Sequence, residues 1–356
     1  MRPTVNDIAR EAGVSLATVD RVLNARPGVR EKTIRAVNDA IAKLGYVRDL
    51  TAANLARGRT YRVAVLLPDT ESQFIQSLAE ALTEAGSVAA TNRTELRLHR
   101  FPAEDPHALA ALLATLPDGD YVGVALMAPE TPILRDAVRG LRTRGLPLVA
   151  LVSDLPNAGC DHFIGIDNHA AGRTAGVMMG RFLGGGPGQV MVLGQSLLAR
   201  DMIERRRGFD EMMQRDFPGL EVLQSLETHG SPVTLRQVVA EMLTNAPHVR
   251  GIYAMGDGNR ALTQVLEEFG LSGKITVICH ELTPHVRTAL VQGQVTAVIT
   301  QNLGHLARST LRVLRAKADR QPLDEGQEQI RIEIVLCENL PAQADLTARP
   351  DVEQVA

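Results

Sequence analysis

Apolar side chains recur at helical spacing from the first residues on. Val5, Ile8, Ala9 and Ala12 share one face of a predicted helix, and Thr4 stands at its N-cap position. Asp7, three residues on, favours the positive end of that helix. Gly13 breaks the pattern, and Ser15 is placed to cap a second helix over 16–24 whose inward face is Val19, Val22 and Leu23. Two short helices joined by a tight turn containing glycine make a helix-turn-helix pattern. A third stripe, Ile34, Val37, Ile41 and Leu44, predicts a helix over about 31–44, stopped by Gly45. Residues 1–49 are therefore expected to form a small all-α head.

The pattern changes at Tyr61. Residues 61–67 read as a buried strand, followed by a helix over about 72–85, and 96–101, 121–127 and 146–152 predict further strands with helices between. A second series opens near Phe163 and Ile164 and includes strands at 189–193, 251–254, 275–279 and 295–299. Alternating strands and helices predict parallel sheets covered on both faces, and some 280 residues suit two lobes better than one core. The expected body is 61–340, with one lobe over about 61–163 plus 300–325 and the other over about 164–299 plus 326–340. Between head and body, 50–60 is Ala-rich and too short to hold a helix alone. The tail, 341–356, is polar and has no apolar heptads, so a dimer is expected, not a tetramerising coiled coil.

Composition fits a soluble globular chain: 356 residues, 45% hydrophobic, no Trp. No run resembles a signal peptide or a membrane span, and three unpaired cysteines fit a reduced, cytoplasmic protein. Net charge is −3, but its distribution is uneven. Residues 1–60 carry 11 Lys and Arg against 6 Asp and Glu; the other 296 carry 27 against 35. A basic head on an acidic body is expected where only the head meets a polyanion, although a solvated surface would also tolerate it.

The outward face of the second predicted helix carries Leu16, Ala17, Asp20, Arg21 and Asn24. A recognition helix sets such side chains against base edges. Arg21 can pair with guanine, and Leu16 and Ala17 can touch thymine methyls. Leu55 in the linker reads either as an ordinary linker side chain or as a minor-groove wedge. In the body, ligands sit beyond the carboxyl ends of parallel strands. The loops there offer Asp69, Phe74, Ser153 and Asp154, and further on Arg205, Asp257, Glu281 and Gln301. Carboxylates, amides, one arginine and one ring suit a polyhydroxylated ligand, each hydroxyl of which needs a donor and an acceptor.

Two motifs point elsewhere. Gly184-Gly185-Gly186-Pro187-Gly188 lacks the Gly-Lys-Ser/Thr of a phosphate loop and precedes a strand, so it reads as a helix-ending turn. Cys160-Asp161-His162 offers too few ligands for a metal. No catalytic set, metal or cofactor is expected.

The run Thr4-Val-Asn-Asp-Ile-Ala-Arg-Glu-Ala-Gly-Val-Ser-Leu-Ala-Thr-Val-Asp-Arg-Val-Leu-Asn24 closely resembles the opening of lactose-repressor/galactose-repressor (LacI/GalR) family regulators. Leu44-Gly45-Tyr46 and Asn54-Leu55-Ala56-Arg57 match the end of the head and a hinge helix. The resemblance implies a helix-turn-helix head on a two-lobed, periplasmic-binding-protein-like (type I) sensor. By position, Leu16, Ala17 and Arg21 would read bases, while Thr4, Ser15, Thr18, Asn24 and Thr33 would hold phosphates or fix the head. Leu55 would be a wedge at the centre of a near-palindromic operator. Arg205 would grip the effector, with Asp257, Glu281 and Gln301 around it.

Three positions depart from the family pattern. Asp20 stands where Ser is usual; Ser153-Asp154 shifts an expected Asp by one residue; His280-Glu281 replaces a Tyr-Asp type. The resemblance thus implies a cytoplasmic, homodimeric, non-enzymatic regulator, expected to be a repressor. Its partners are double-stranded operator DNA and a small effector, a monosaccharide or polyol in preference to a purine, with no membrane. The alternatives are a ligand-binding module or a sugar-modifying enzyme with a DNA-binding-like head.

Overall fold

The computed structural model describes residues 3–23, 26–46, 60–196, 199–246 and 248–342. Asn24, the hinge with Leu55, and the tail from 343 lie outside the described residues. The chain divides into two compact units at Arg59/Thr60.

The head contains α1 (Val5–Ala12), α2 (Leu16–Leu23) and α3 (Glu31–Leu44). Thr4 donates its backbone N–H and its hydroxyl to the Asp7 carboxylate, at 2.8 and 2.7 Å. These bonds hold the Asp7 carboxyl below its usual range. Gly13 ends α1 in the left-handed region, φ 67, which costs glycine nothing. The Ser15 hydroxyl accepts from the Thr18 N–H at 3.2 Å, so α2 starts where its apolar stripe begins. Ile8, Val19 and Val37, each from a predicted stripe, meet at the centre of the head together with Ala40, which the stripe reading did not include.

The body has two sheets. The first, ordered β2-β1-β3-β4-β5, is parallel throughout. Its strands are β1 (Tyr61–Asp69), β2 (Thr94–Pro102), β3 (Gly123–Leu126), β4 (Leu148–Leu151) and β5 (His162–Ile164). Around it lie α4 (Gln73–Ala89), α5 (Pro106–Thr115) and α6 (Pro132–Thr143). The second, ordered β11-β10-β9-β8-β6-β7, is parallel except for β11. It holds β6 (Gly188–Gly194), β7 (Leu220–Glu227), β8 (Val249–Ala254), β9 (Thr276–His280), β10 (Ala297–Gln301) and β11 (Ile332–Val335). Its helices are α7 (Asn168–Phe182), α8 (Arg200–Asp216), α9 (Pro232–Asn245), α10 (Asn259–Glu268) and α11 (Pro284–Val291). The last long helix, α12 (Leu303–Ala318), returns to the first lobe and packs on α4.

Two lobe boundaries differ from the sequence reading. Phe163 and Ile164 pair with Ala150 and Leu151, so β5 closes the first sheet instead of opening the second. A three-residue apolar strand carries no mark of which sheet it joins. Thr300 and Gln301 pair with β11, so the second lobe extends through β10 and the return begins at α12.

Helices α7 and α8 approach through glycine. A Cβ on Gly172 would lie 2.0 Å from the Arg205 carbonyl oxygen, and one on Gly208 2.1 Å from that of His169. Backbone therefore meets backbone, and Arg205 stands at this contact. After α7, Gly184 and Gly185 take φ 69 and 66, the helix-ending turn expected there.

Candidate functional site

The carboxyl ends of both sheets face one cleft. Arg205, on α8, is only 2% exposed there. Its Nε donates to Asn168 Oδ1 at 2.8 Å and its Nη1 to the Met255 carbonyl at 2.6 Å. Its Nη2 lies 3.9 Å from Glu281 Oε1. A guanidinium fixed on two sides presents its remaining edge in one direction.

Glu281 follows β9 with φ 66, an uncommon conformation for a side chain other than glycine, secured by its N–H donating to the Ile299 carbonyl at 2.9 Å. Its carboxylate accepts from Gln301 Nε2 at 2.9 Å and from the Thr300 hydroxyl at 3.3 Å. Burial pushes the Glu281 carboxyl up to about 7, against the pull of Arg205 and of these two bonds. Burial also raises the Asp257 carboxyl, against a hydrogen bond from Ser72 and the charge of Arg205. Phe74, Glu281 and Gln301 line a cavity of about 240 Å³ in the cleft.

Ser153 is buried, and its Oγ accepts from the Asp201 N–H at 3.4 Å, which links β4 to the start of α8. Asp154 turns away: it accepts from the Leu155 N–H at 2.7 Å and acts on the Cys160 thiol, which burial pushes up to about 12. Asp69 is exposed at the end of β1. The structure thus gathers Phe74, Ser153, Arg205, Asp257, Glu281 and Gln301 around the cleft, and leaves Asp69 and Asp154 at its margins.

His280, the last residue of β9, points into the core and not into the cleft. It is buried with Nε2 2.8 Å from the Tyr253 hydroxyl, and Tyr253 stacks on Phe209 at 4.6 Å. Burial holds its ring well below the usual imidazole range, so it is neutral and supports the floor from the core. Asn168 and Asp201 were missed in the sequence reading. Both sit in first turns of helices, where Asn and Asp read as capping groups.

In the head, Leu16 is 50% exposed, and Ala17 and Arg21 are exposed beside it. Asp20 lies 3.5 Å from Arg26. The Ser15 and Thr18 hydroxyls are 2.9 Å apart, Thr4 is tied to Asp7, and Thr33 is half-buried in the first turn of α3.

Compared with known families, residues 4–49 match bacterial regulatory proteins of the lacI family, and 63–322 match the periplasmic binding protein domain. Through its body the chain belongs to the periplasmic-binding-protein domain family, and its head is a lacI-family DNA-binding domain. It is a DNA-binding transcription regulator, its lacI-type head carried on a periplasmic-binding-protein body. The HTH-type transcriptional regulator GntR of Pseudomonas aeruginosa is 28% identical over 260 residues, 72% of each chain. Two solved structures share the fold of the body. GanP, a glucose-galactose binding protein of Geobacillus stearothermophilus, superposes with a TM-score of 0.71 at 16% identity, covering 80% of this chain and all of its own. An ABC transporter solute-binding protein of Burkholderia graminis, in complex with D-arabinose, has the same TM-score at 22% identity, over 80% and 97%. Among the described residues no helix is long and apolar enough to cross a membrane.

Proposed function

We propose that this lacI-family regulator is a cytoplasmic, homodimeric repressor whose hold on an operator is set by a monosaccharide or polyol bound between its lobes. One observation carries the reading. A buried arginine, fixed by Asn168 and the Met255 carbonyl, faces the Glu281–Gln301 pair where the strands of both sheets end. That is the polar geometry a hydroxylated ring requires, and Phe74 offers it an apolar face. Both solved neighbours of the body are binding proteins for sugars by description.

In this reading Arg21, Leu16 and Ala17 meet base edges, while Thr4, Ser15, Thr18, Asn24 and Thr33 hold the head on phosphates. Leu55 enters the minor groove from the hinge. Asp20, through Arg26, tunes which operator is chosen. The ligand leaves unchanged, with no catalytic step.

The test selects duplexes from a random pool with the full chain and then adds a panel of sugars and polyols. A near-palindromic site should emerge, one ligand should release it, and that ligand should raise the melting temperature with concentration. Arg21→Ala should lose sequence preference by about 1–3 kcal/mol at one base pair per half-site. Asp20→Ser should alter affinity or base preference; no change in either removes Asp20 from the reading. A pool that yields no preferred sequence, or a site that no panel member releases, defeats the proposal.

A further inference from the structure

The cleft holds more acceptors than donors. Asp257 and Glu281 bring two carboxylates to it, the charge of Asp201 acts on Asp257, and the guanidinium facing them is that of Arg205. Asp257 in turn acts on Glu281. Arg205 has already given Nε and Nη1 to protein oxygens. Gln301 is the second, independent sign. It is 3% exposed, it lines the cavity, its Nε2 is held by Glu281, and its Oε1 has no hydrogen-bond partner. A buried amide oxygen without a donor is costly, and a ligand donor reaching it removes that cost.

We propose that the effector carries an amine: an amino sugar or amino polyol whose ammonium sits among Glu281, Asp257 and the Gln301 Oε1. The proposal rests on the reading of this cleft as the effector site and names the ligand class within it. A neutral polyol supplies donors but leaves the buried acids short of positive charge. An ammonium supplies three donors and no acceptor, together with the missing charge. A sugar acid or sugar phosphate adds negative charge where acids already outnumber the arginine.

The test is calorimetric titration of the full chain with D-glucosamine, D-galactosamine, D-mannosamine and 1-amino-1-deoxy-D-sorbitol. Each is paired with its hydroxyl parent, and the hexosamines also with their N-acetyl forms. D-gluconate and D-glucose 6-phosphate complete the panel. At least one amine should bind about tenfold or more tighter than both its parent and its N-acetyl form, the difference one charge-assisted bond makes. In Glu281→Gln and Asp257→Asn, checked for unchanged secondary structure, that preference should shrink to about threefold or less, with parent and N-acetyl form measured in the same variant. A parent or N-acetyl form that binds as tightly as the amine overturns the proposal. So do preference for the acid or phosphate, and a panel in which no amine outbinds its parent. A neutral sugar that binds and releases the operator would overturn the amine and leave the proposed function standing. Silence from every panel member, in binding and in operator release, would sink both.

Discussion

Glu281 concentrates the local tension of the site. Its backbone is left-handed, and its burial works against an ionised carboxylate, so its carboxyl stands at about 7 instead of 4.5. The sign of the consequence follows from proton linkage. Below about pH 4.5 the group is protonated both folded and unfolded, and it costs nothing. Between 4.5 and 7 the unfolded chain releases the proton while the folded chain keeps it, so stability falls as pH rises; above 7 the loss is complete. Glu281→Gln removes this dependence. From pH 4.5 to pH 8 the variant should gain on the wild type by roughly 3 kcal/mol, read from urea unfolding across that range. Parallel stability curves for the two proteins would mean that Glu281 titrates as an ordinary carboxyl. At this scale the sequence was informative where polar residues close or follow strands, as Glu281 and Gln301 do; Arg205 was named too, but as a loop residue, and it lies within α8. The sequence was silent on direction. Asp154 and Ser153 are neighbours in the same loop, and only the turn at Val152, φ 65, decides that the serine faces α8.

Elements were legible in proportion to their burial. The head's stripes and the central strands announce themselves because each must hide an apolar face. The outer strands β7 and β11 lie largely half-buried or exposed, and neither was among the strands read from the sequence. Nor could periodicity show that α7 and α8 meet at glycines, because the contacts join Gly172 to the backbone of Arg205 and Gly208 to that of His169, far apart in sequence. They position the site, since Arg205 lies one turn before Gly208 on α8. Gly208→Ala would push a methyl into the His169 carbonyl and force the helices apart, at a cost of about 1–3 kcal/mol or more. The displaced Arg205 should also weaken ligand binding. Gly140→Ala is the control. It lies within α6, where a Cβ meets nothing within 4 Å, and should be neutral or stabilise by up to about 1 kcal/mol. Thermal unfolding of the two variants separates crowding from helix propensity; equal effects would show that the glycine contact does not position Arg205.

At the scale of the whole molecule, the basic head and the acidic body divide the work that the proposed function requires. Phosphate contacts belong to the head, and the sensor's negative charge keeps the remainder of the surface off DNA. A ligand in the cleft can act on the operator only by binding two states of the protein unequally. That requirement makes the coupling reciprocal: if ligand weakens operator binding by some factor, operator weakens ligand binding by the same factor. The expected factor is about 5–150, the usual range for coupled sites. Two titrations measure it independently, ligand into free protein and into protein saturated with operator, alongside operator binding with and without ligand. Matching factors would establish that cleft and head share one equilibrium. Identical ligand affinity with and without operator would mean that the body binds its ligand without governing the head, and ligand control would have to be abandoned. Unequal factors from the two directions would break the thermodynamic cycle. They would point to a third species, such as a dimer that dissociates during one of the titrations, and sedimentation at the titration concentrations would identify it.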